Sequence, residues 1–388
     1  MNWRYQLPTW SPITASMLRA AARSDPGAPA RLEAQLAASY GADRVLLTAS
    51  GTVALTLALL SRGPCPRVAM PAWGCPDLAT AADGADAVVR LYDLDPRTLG
   101  PDLDSLRRAV AGGIDLVVVA SFFGVPFDAE AIAPIVHAAG GLLVDDAAQG
   151  AGGAFRGRPL GVHGDLGVLS FGRGKGRTGG SGGALLATSA LGVAAMDRVA
   201  ARLTPAGQGG RFNDLVALAA MAVLARPGVY RLPASLPWLR LGETIYHPPP
   251  ELVGIRRGAA AALLAGEDAS RAEAATRRER GRAWAAALGG SSRVRLVEPP
   301  AGSDPGWLRF PVVGPARAAA ELGYLRSLGV LPGYPRLLVE WGAFQRRVAE
   351  AGPASWDGAT ELAQRLVTLP THGRLAAADR RHVVAALG

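Results

Sequence analysis

Cysteine and histidine are both rare in this sequence. The 388 residues include two cysteines, Cys65 and Cys75, and five histidines, none of them in HxxxH or HExxH spacing. Two cysteines cannot build a disulfide framework, and neither residue type recurs at a spacing that would hold a metal ion. We therefore predict no metal site, and we expect the protein in the reducing cytoplasm.

Long apolar runs are also missing. No uncharged apolar stretch reaches 18 residues, and the first 20 residues contain arginine and proline without a continuous apolar core. The sequence therefore predicts neither a membrane-spanning helix nor a signal peptide. Apolar residues make up 49% of the chain and charged residues 19%, which excludes a disordered or fibrous protein. A globular protein long enough for two domains is expected.

Lysine occurs once. Of the 41 basic side chains, only Lys175 is a lysine. An arginine does not lose its proton in a protein, whereas a lysine amine acts as a nucleophile when its pKa is lowered. Lys175 is therefore a candidate Schiff-base residue; the alternative is a lysine on a surface loop without a function. The formal charge of +9 would favour anionic substrates and says nothing about the fold.

Short aliphatic or β-branched runs alternate with helical segments between residues 44 and 188. This repetition is typical of an α/β domain around a mostly parallel sheet. We predict a large domain with a mostly parallel seven-stranded sheet between helices. The predicted strands are 44–48, 68–70, 87–93, 115–121, 142–146, 167–171 and 183–188.

The remainder of the chain predicts a smaller unit. We assign residues 1–250 to the large domain, with a helical and proline-rich insertion at about 205–250. Further helices and the strand candidates 293–298 and 308–313 follow. Residues 251–388 are therefore predicted to form a small C-terminal α+β domain.

Three short motifs lie at the ends of predicted strands. Residues 50–52 open a helix, where free N–H groups and the helix dipole favour an anion; an ordinary N-cap would use the same residue types. Asp146 ends a strand at the carboxyl edge of the sheet, where open α/β folds bind ligands. Ser170 ends another strand, and Lys175 follows in a loop.

A lysine, a carboxylate and a phosphate cradle are the protein parts that pyridoxal phosphate requires. The lysine forms an imine with the cofactor aldehyde, and the carboxylate keeps the pyridine nitrogen protonated. Hydroxyl groups and a helix N-terminus hold the phosphate. Pyridoxal phosphate is therefore the predicted cofactor.

The motifs between about residues 31 and 188 resemble those of the DegT/DnrJ/StrS family of sugar aminotransferases, which have the aspartate-aminotransferase fold. The family's Ser-Gly-Thr motif is similar to residues 50–52. Its Glu-Asp-Ala-Ala-Gln motif is similar to residues 145–149, with Asp145 in place of glutamate. Its Ser-Phe-x-x-x-Lys motif is matched by residues 170–175.

The resemblance implies a role for each matched residue. Lys175 would carry the Schiff base, and Asp146 would pair with the pyridine nitrogen. The other cofactor-binding residues would be Ser50, Gly51, Thr52 and Ser170 at the phosphate and Gln149 beside the ring.

Three departures from the family pattern concern the site. Cys75 occupies the position of an aromatic ring that usually stacks on the cofactor, a contact that contributes on the order of 1 kcal/mol. We expect Trp73 to cover the ring, with the Cys75 thiol as the alternative. Ser181 replaces a glutamate on the substrate side. Asn213, or else Arg211, would reach the cofactor phosphate of the other subunit of a homodimer.

The resemblance implies a pyridoxal-phosphate-dependent aminotransferase. It would move an amino group from glutamate or glutamine to a keto-sugar, nucleotide-linked in the family's manner, in amino-sugar, polysaccharide or natural-product biosynthesis. The alternative is another reaction of the same cofactor: elimination, decarboxylation, racemisation or condensation. No nucleic-acid partner is expected, because the arginines form no basic cluster. Residues 225–250 would form a packed insertion, or else a lid or a membrane contact.

Overall fold

The structure is a computed structural model. It describes residues 5–207, 211–226, 228–230, 244–314, 323–349 and 355–388, and only the backbone of 211–214. Residues 231–243, in the middle of the predicted insertion, lie outside the described residues. All structural statements below refer to the described part of the chain.

The strands are numbered along the chain. They are β1 (Arg44–Thr48), β2 (Arg67–Pro71), β3 (Val88–Tyr92), β4 (Leu116–Ala120), β5 (Leu142–Asp146), β6 (Ala154–Phe155), β7 (Arg158–Pro159), β8 (Leu166–Ser170), β9 (Gly183–Ala187), β10 (Arg295–Leu296), β11 (Ser303–Asp304), β12 (Phe310–Val313), β13 (Leu331–Pro332) and β14 (Leu366–Leu369).

The helices are numbered in the same way. They are α1 (Ala15–Arg23), α2 (Ala28–Tyr40), α3 (Gly51–Leu60), α4 (Pro76–Gly84), α5 (Leu103–Val110), α6 (Ala129–Ala138), α7 (Ala190–Ala200), α8 (Arg211–Leu224), α9 (Arg257–Ala265), α10 (Glu267–Leu288), α11 (Gly323–Ser327), α12 (Gly342–Gln345), α13 (Asp357–Arg365) and α14 (Ala377–Leu387). Short 3-10 helices lie at Phe122–Gly124 and Leu338–Glu340.

Seven strands form one large sheet in the order β1-β9-β8-β5-β4-β2-β3. β8, β5, β4, β2 and β3 are parallel, and β9 runs antiparallel to its neighbours β1 and β8. Each of the seven predicted strands coincides with one of these. The predicted α/β class and the mostly parallel seven-stranded sheet are therefore confirmed.

The composition of the central strands explains why this sheet is buried on both faces. β4 reads LVVVA, and its first four side chains are all buried. Such continuous apolar runs suit parallel strands that are covered by helices on both sides. Helix α3, with the sequence GTVALTLALL, is buried along almost its whole length between the sheet and α4.

The strand order brings the predicted motifs to one edge. β5 and β8 are parallel neighbours, so Asp146 and Ser170, their last residues, lie at the same carboxyl edge. β1 leads into α3 at this edge too, where Ser50 bridges to Gly182 in the loop before β9. Ligands of open α/β folds bind at such an edge.

A second, antiparallel sheet has the order β10-β12-β14-β13. It confirms the α+β character predicted for the C-terminal part. β14, at the centre beside β12, was not predicted as a strand. Helix α9, which follows the predicted domain boundary at 250/251, packs against α1 and α2 of the predicted large domain. The position of that boundary stays a prediction. None of the helices in the described residues combines the length and apolar character needed to cross a membrane.

Candidate active site

A pocket lies at the carboxyl edge of the large sheet. Six of the nine predicted cofactor-binding residues line it: Gly51, Thr52, Asp146, Gln149, Ser170 and Lys175. They come from three different strand ends and from the loop between β8 and β9. The parallel strand order is what places them together.

Lys175 lies in a glycine-rich loop between β8 and β9. Gly174 and Gly176, on either side of it, have φ angles of 74° and 83°, a region that residues with a Cβ atom rarely adopt. A Cβ on Gly176 would lie 2.8 Å from the guanidinium of the buried Arg277. The N–H of Gly176 donates to the Ser11 hydroxyl at 3.1 Å. The loop thus holds the lysine at the pocket wall.

Asp146 is one of two carboxylates that line the pocket; the other is Asp77. The Asp146 Oδ1 accepts a hydrogen bond from the N–H of Ala148 at 3.0 Å, and Oδ2 has no partner among the described residues. Burial raises the pKa of Asp146, while the Ala148 N–H and the charge of Lys175 act in the opposite direction. A cationic N–H donor at Oδ2 would stabilise the ionised carboxylate.

The opposite end of the pocket has free hydrogen-bond donors. Gly51 and Thr52 form the first turn of α3, and Ser170 lies so close that a Cβ on Gly51 would be 2.8 Å from the Ser170 Cβ. The hydroxyls of Thr52 and Ser170 bond to no described residue. With the N–H groups of α3 they form a site for an anion.

Ser50 has a different place from the one predicted. Its hydroxyl accepts a hydrogen bond from the N–H of Val53 at 3.2 Å and caps α3. Ser50 does not line the pocket. The N-cap alternative therefore describes its side chain, because the cap holds the hydroxyl against its own helix.

Trp73 is also not where the sequence placed it. The indole is fully buried outside the pocket, donates to the Tyr334 carbonyl oxygen at 2.7 Å, and lies 5.2 Å from the Phe122 ring. Cys75 and Phe122 line the pocket instead. The prediction that Trp73 covers the cofactor ring is thus corrected. The buried indole N–H requires a hydrogen-bond partner, and that partner lies away from the pocket.

Gln149 has both ends of its amide occupied. Its Oε1 accepts from the N–H of Phe123 at 2.8 Å, and its Nε2 donates to the Tyr334 hydroxyl. Gln149 therefore fixes the pocket wall to the segment that contains Tyr334. Asn213 belongs to α8, but its side chain, like that of Arg211, lies outside the described part.

Several pocket residues were missed from the sequence. They include Asp77, Ser121 and Phe122. The Ser121 hydroxyl is buried without a partner among the described residues, so it is available to a polar ligand. Ser121 and Phe122 directly follow β4, and the rule that ligands bind at carboxyl strand ends would have found them.

This donor set fits pyridoxal phosphate. A lysine amine, a carboxylate with one free oxygen, and an anion site at a helix N-terminus are the groups that its aldehyde, pyridine nitrogen and phosphate need. Burial raises the pKa of the Cys75 thiol to about 12. The Cys75 thiol in the pocket wall is therefore neutral, and the Phe122 ring lines the pocket as well.

Comparison with known proteins agrees with this geometry. Residues 22–202 match the model of the DegT/DnrJ/EryC1/StrS aminotransferase family. The L-glutamine:2-deoxy-scyllo-inosose aminotransferase of Streptoalloteichus tenebrarius is 35% identical over 162 residues, which are 41% of this chain and 38% of that one. The dTDP-4-dehydro-2,3,6-trideoxy-D-glucose 4-aminotransferase of Saccharopolyspora spinosa is 34% identical over 143 residues, 36% of this chain and 37% of that one.

The matches to these curated relatives thus span less than two fifths of their length. A solved structure extends the likeness over almost the whole chain. The sugar aminotransferase CalS13 from Micromonospora echinospora superposes with a TM-score of 0.73, covers 97% of each chain and is 22% identical. Because the sequence identity is only 22%, the superposition supports the fold alone.

Proposed function

We propose that this chain, whose residues 22–202 match the model of the DegT/DnrJ/EryC1/StrS aminotransferase family, is a pyridoxal-phosphate-dependent aminotransferase. The observation that carries the proposal is one pocket lined by the only lysine of the chain and by Asp146, with the N-terminus of α3 at its other end. When bound, the cofactor withdraws electrons from the carbon that carries the amino group.

The residues of the pocket divide the work. Lys175 attaches the cofactor and, once displaced, moves the proton at the donor carbon as base and acid. Asp146 keeps a positive charge on the pyridine nitrogen. Gly51, Thr52 and Ser170 hold the phosphate. Gln149 and Phe122 limit the position of the ring.

The substrates follow from the relatives. One of them is named for L-glutamine and an inosose, another for a dTDP-linked keto-sugar. On this basis the amino donor is glutamine or glutamate. The acceptor is a cyclic ketone, either a nucleotide-linked keto-sugar or a sugar-like compound. The reaction belongs to amino-sugar, polysaccharide or natural-product biosynthesis. The surplus of positive charge on the chain favours the anionic compounds among these, which are glutamate and a nucleotide-linked sugar.

The assembly and the location belong to the same proposal. The enzyme acts as a homodimer in the cytoplasm, with Asn213 reaching the cofactor phosphate of the partner. The functional division into a large domain, 1–250, and a small one, 251–388, is proposed with it.

An absorption spectrum of the protein reconstituted with pyridoxal phosphate tests the function. We expect a visible band that L-glutamine or L-glutamate removes. Borohydride treatment of the wild type followed by mass spectrometry is expected to leave one cofactor covalently attached to Lys175. In Lys175→Ala, and in the charge-preserving control Lys175→Arg, no attachment is expected because neither side chain forms an imine.

Two results would contradict the proposal in different ways. Attached cofactor that responds to neither donor would favour elimination, decarboxylation, racemisation or condensation. If the wild type attaches no cofactor, every proposed reaction that depends on a Schiff base at Lys175 is excluded.

A further inference from the structure

The second carboxylate of the pocket, Asp77, has no part in the proposed division of work. It lies in the first turn of α4, directly after the segment that contains Cys75, and it lines the pocket together with Asp146 and Lys175. Its carboxylate forms no hydrogen bond or ion pair with a described residue. Asp77 is therefore available to a ligand of the pocket.

The strand order places Asp77 on the side of Asp146 that faces away from the anion site. Along the carboxyl edge of the large sheet, β8, β5, β4 and β2 follow one another. Ser170 ends β8 beside the first turn of α3, and Asp146 ends β5. Asp77 follows β2, the second strand beyond β5. A phosphate at α3 would thus lie on one side of Asp146 and Asp77 on the other.

The charge of Asp77 acts on this end of the pocket. Burial raises the pKa of the Cys75 thiol to about 12, and the charge of Asp77 contributes to the increase. Burial also raises the pKa of Asp146, and Asp77 acts on it in the same direction. Two carboxylates that repel each other in an enclosed pocket favour the binding of a cation near them.

The helix dipole alone does not account for the place of Asp77. Any aspartate in the first turn of a helix interacts favourably with the dipole. Asp357 is in this position on the surface: it is exposed and opens α13, which has nine residues as α4 does. Asp77, in contrast, is half-buried in the wall of the pocket.

We propose that Asp77 is a second carboxylate for the cofactor ring, which acts with Asp146 to favour a protonated pyridine nitrogen. This inference rests on the proposed binding of pyridoxal phosphate. Trp73 lies outside the pocket and Cys75 presents a thiol in place of an aromatic ring, so the contribution of stacking is smaller here. A negative charge near the pyridinium offsets part of that loss, because opposite charges attract more strongly in an enclosed site than in water.

Cofactor binding to the apoprotein tests the assignment. The probes are pyridoxal phosphate and its deaza analogue, which keeps the aldehyde and the phosphate but has a C–H group in place of the ring nitrogen. We expect Asp77→Asn to weaken the affinity for pyridoxal phosphate about tenfold. The affinity for the analogue should not fall, because the analogue has no nitrogen to protonate. Asp77→Glu, which keeps the charge, is expected to retain part of the preference for pyridoxal phosphate.

The control variant is Asp357→Asn, which removes an exposed aspartate from the first turn of a helix of the same length. We expect it to bind both probes as the wild type does. Equal losses for the two probes in Asp77→Asn would overturn the proposal, by giving Asp77 a structural role. Unchanged affinities for both would overturn it too, and a slower reaction in that case would assign Asp77 to the substrate.

The wild type separates this inference from the proposed function. If the wild type attaches pyridoxal phosphate at Lys175 while Asp77→Asn binds it equally well, only the role of Asp77 fails. If the wild type itself binds no pyridoxal phosphate, the proposed function fails and the inference fails with it. Should Asp77→Asn not fold, Asp77→Ser removes the same charge and gives the same decision.

Discussion

At the residue scale, Asp145 and Asp146 at the end of β5 show how neighbouring carboxyl groups acquire different roles. Successive strand residues point to opposite faces of the sheet, and only Asp146 lines the pocket. Asp145 is fully buried, and its Oδ2 accepts from the N–H groups of Gly161 at 2.7 Å and His163 at 3.1 Å. We therefore assign Asp145 to the scaffold.

The pKa of Asp145 leads to a prediction about stability. Burial raises this pKa from 3.8 to about 7, so between these values the folded state retains a proton that the unfolded state has lost. The contribution of Asp145 to the free energy of unfolding is thus greatest below pH 4 and falls as the pH rises to about 7. Asp145→Asn, which does not titrate, should gain on the wild type by up to about 4 kcal/mol over this range.

Urea unfolding at pH 5 and pH 8 measures this difference. We expect the free energy of unfolding of Asp145→Asn, relative to that of the wild type, to be higher at pH 8 than at pH 5. The same difference at both pH values would mean that Asp145 titrates alike in the folded and unfolded states.

At the scale of single elements, the loop between β8 and β9 is the most constrained part of the site. Its glycines permit the backbone to pass Arg277 and the N-terminal segment while it presents Lys175. The strands on either side are fixed by the large sheet. The backbone conformation of the loop therefore determines the position of Lys175.

Gly176→Ala is expected to impair the attachment of the cofactor. The substitution places a Cβ at positive φ, which costs roughly 1–2 kcal/mol, and 2.8 Å from the Arg277 guanidinium. The matched control is Gly172→Ala, where the nearest atom, the Ser170 Oγ, is 3.8 Å away. Titration with pyridoxal phosphate should show about tenfold weaker attachment in Gly176→Ala and little change in the control. Equal behaviour would contradict the steric argument.

At the scale of the whole molecule, the site depends on contacts between segments far apart in the chain. Trp73 follows β2 of the large sheet, yet its indole N–H donates to Tyr334, and Leu338 donates its N–H to the Ala72 carbonyl oxygen. Tyr334 in turn contacts Gln149. This cluster joins the C-terminal part of the chain to the wall of the pocket.

Trp73→Phe separates a structural role of this residue from a role in cofactor binding. Loss of the indole N–H leaves the Tyr334 carbonyl oxygen unpaired and creates a small cavity, so we expect the free energy of unfolding to fall by about 2–4 kcal/mol. The cofactor affinity should change little, whereas Phe122→Leu, within the pocket, should lower it. Equilibrium unfolding and cofactor titration provide both values. A large loss of cofactor affinity in Trp73→Phe would restore the stacking role.

The seven strands, the Lys175 loop and the position of Asp146 at a strand end could all be predicted from local patterns. Strand periodicity, glycine content and the distribution of lysine are properties of short segments, and parallel strands bring their carboxyl ends together by necessity. β14 was not recognised in this way, because it follows the last residue of α13 directly, without the turn residues that usually bound a strand.

The direction of Trp73 and the presence of Arg309 beside Lys175 depend on the folded chain, whereas Ser50 caps α3 through Val53, three residues further on. The first two are settled by a competition between partners: a buried indole or guanidinium takes the position in which its polar atoms and its volume are best accommodated. Those partners come from distant segments, as Tyr334 does for Trp73. Local sequence carries no information about which of them the fold brings within reach.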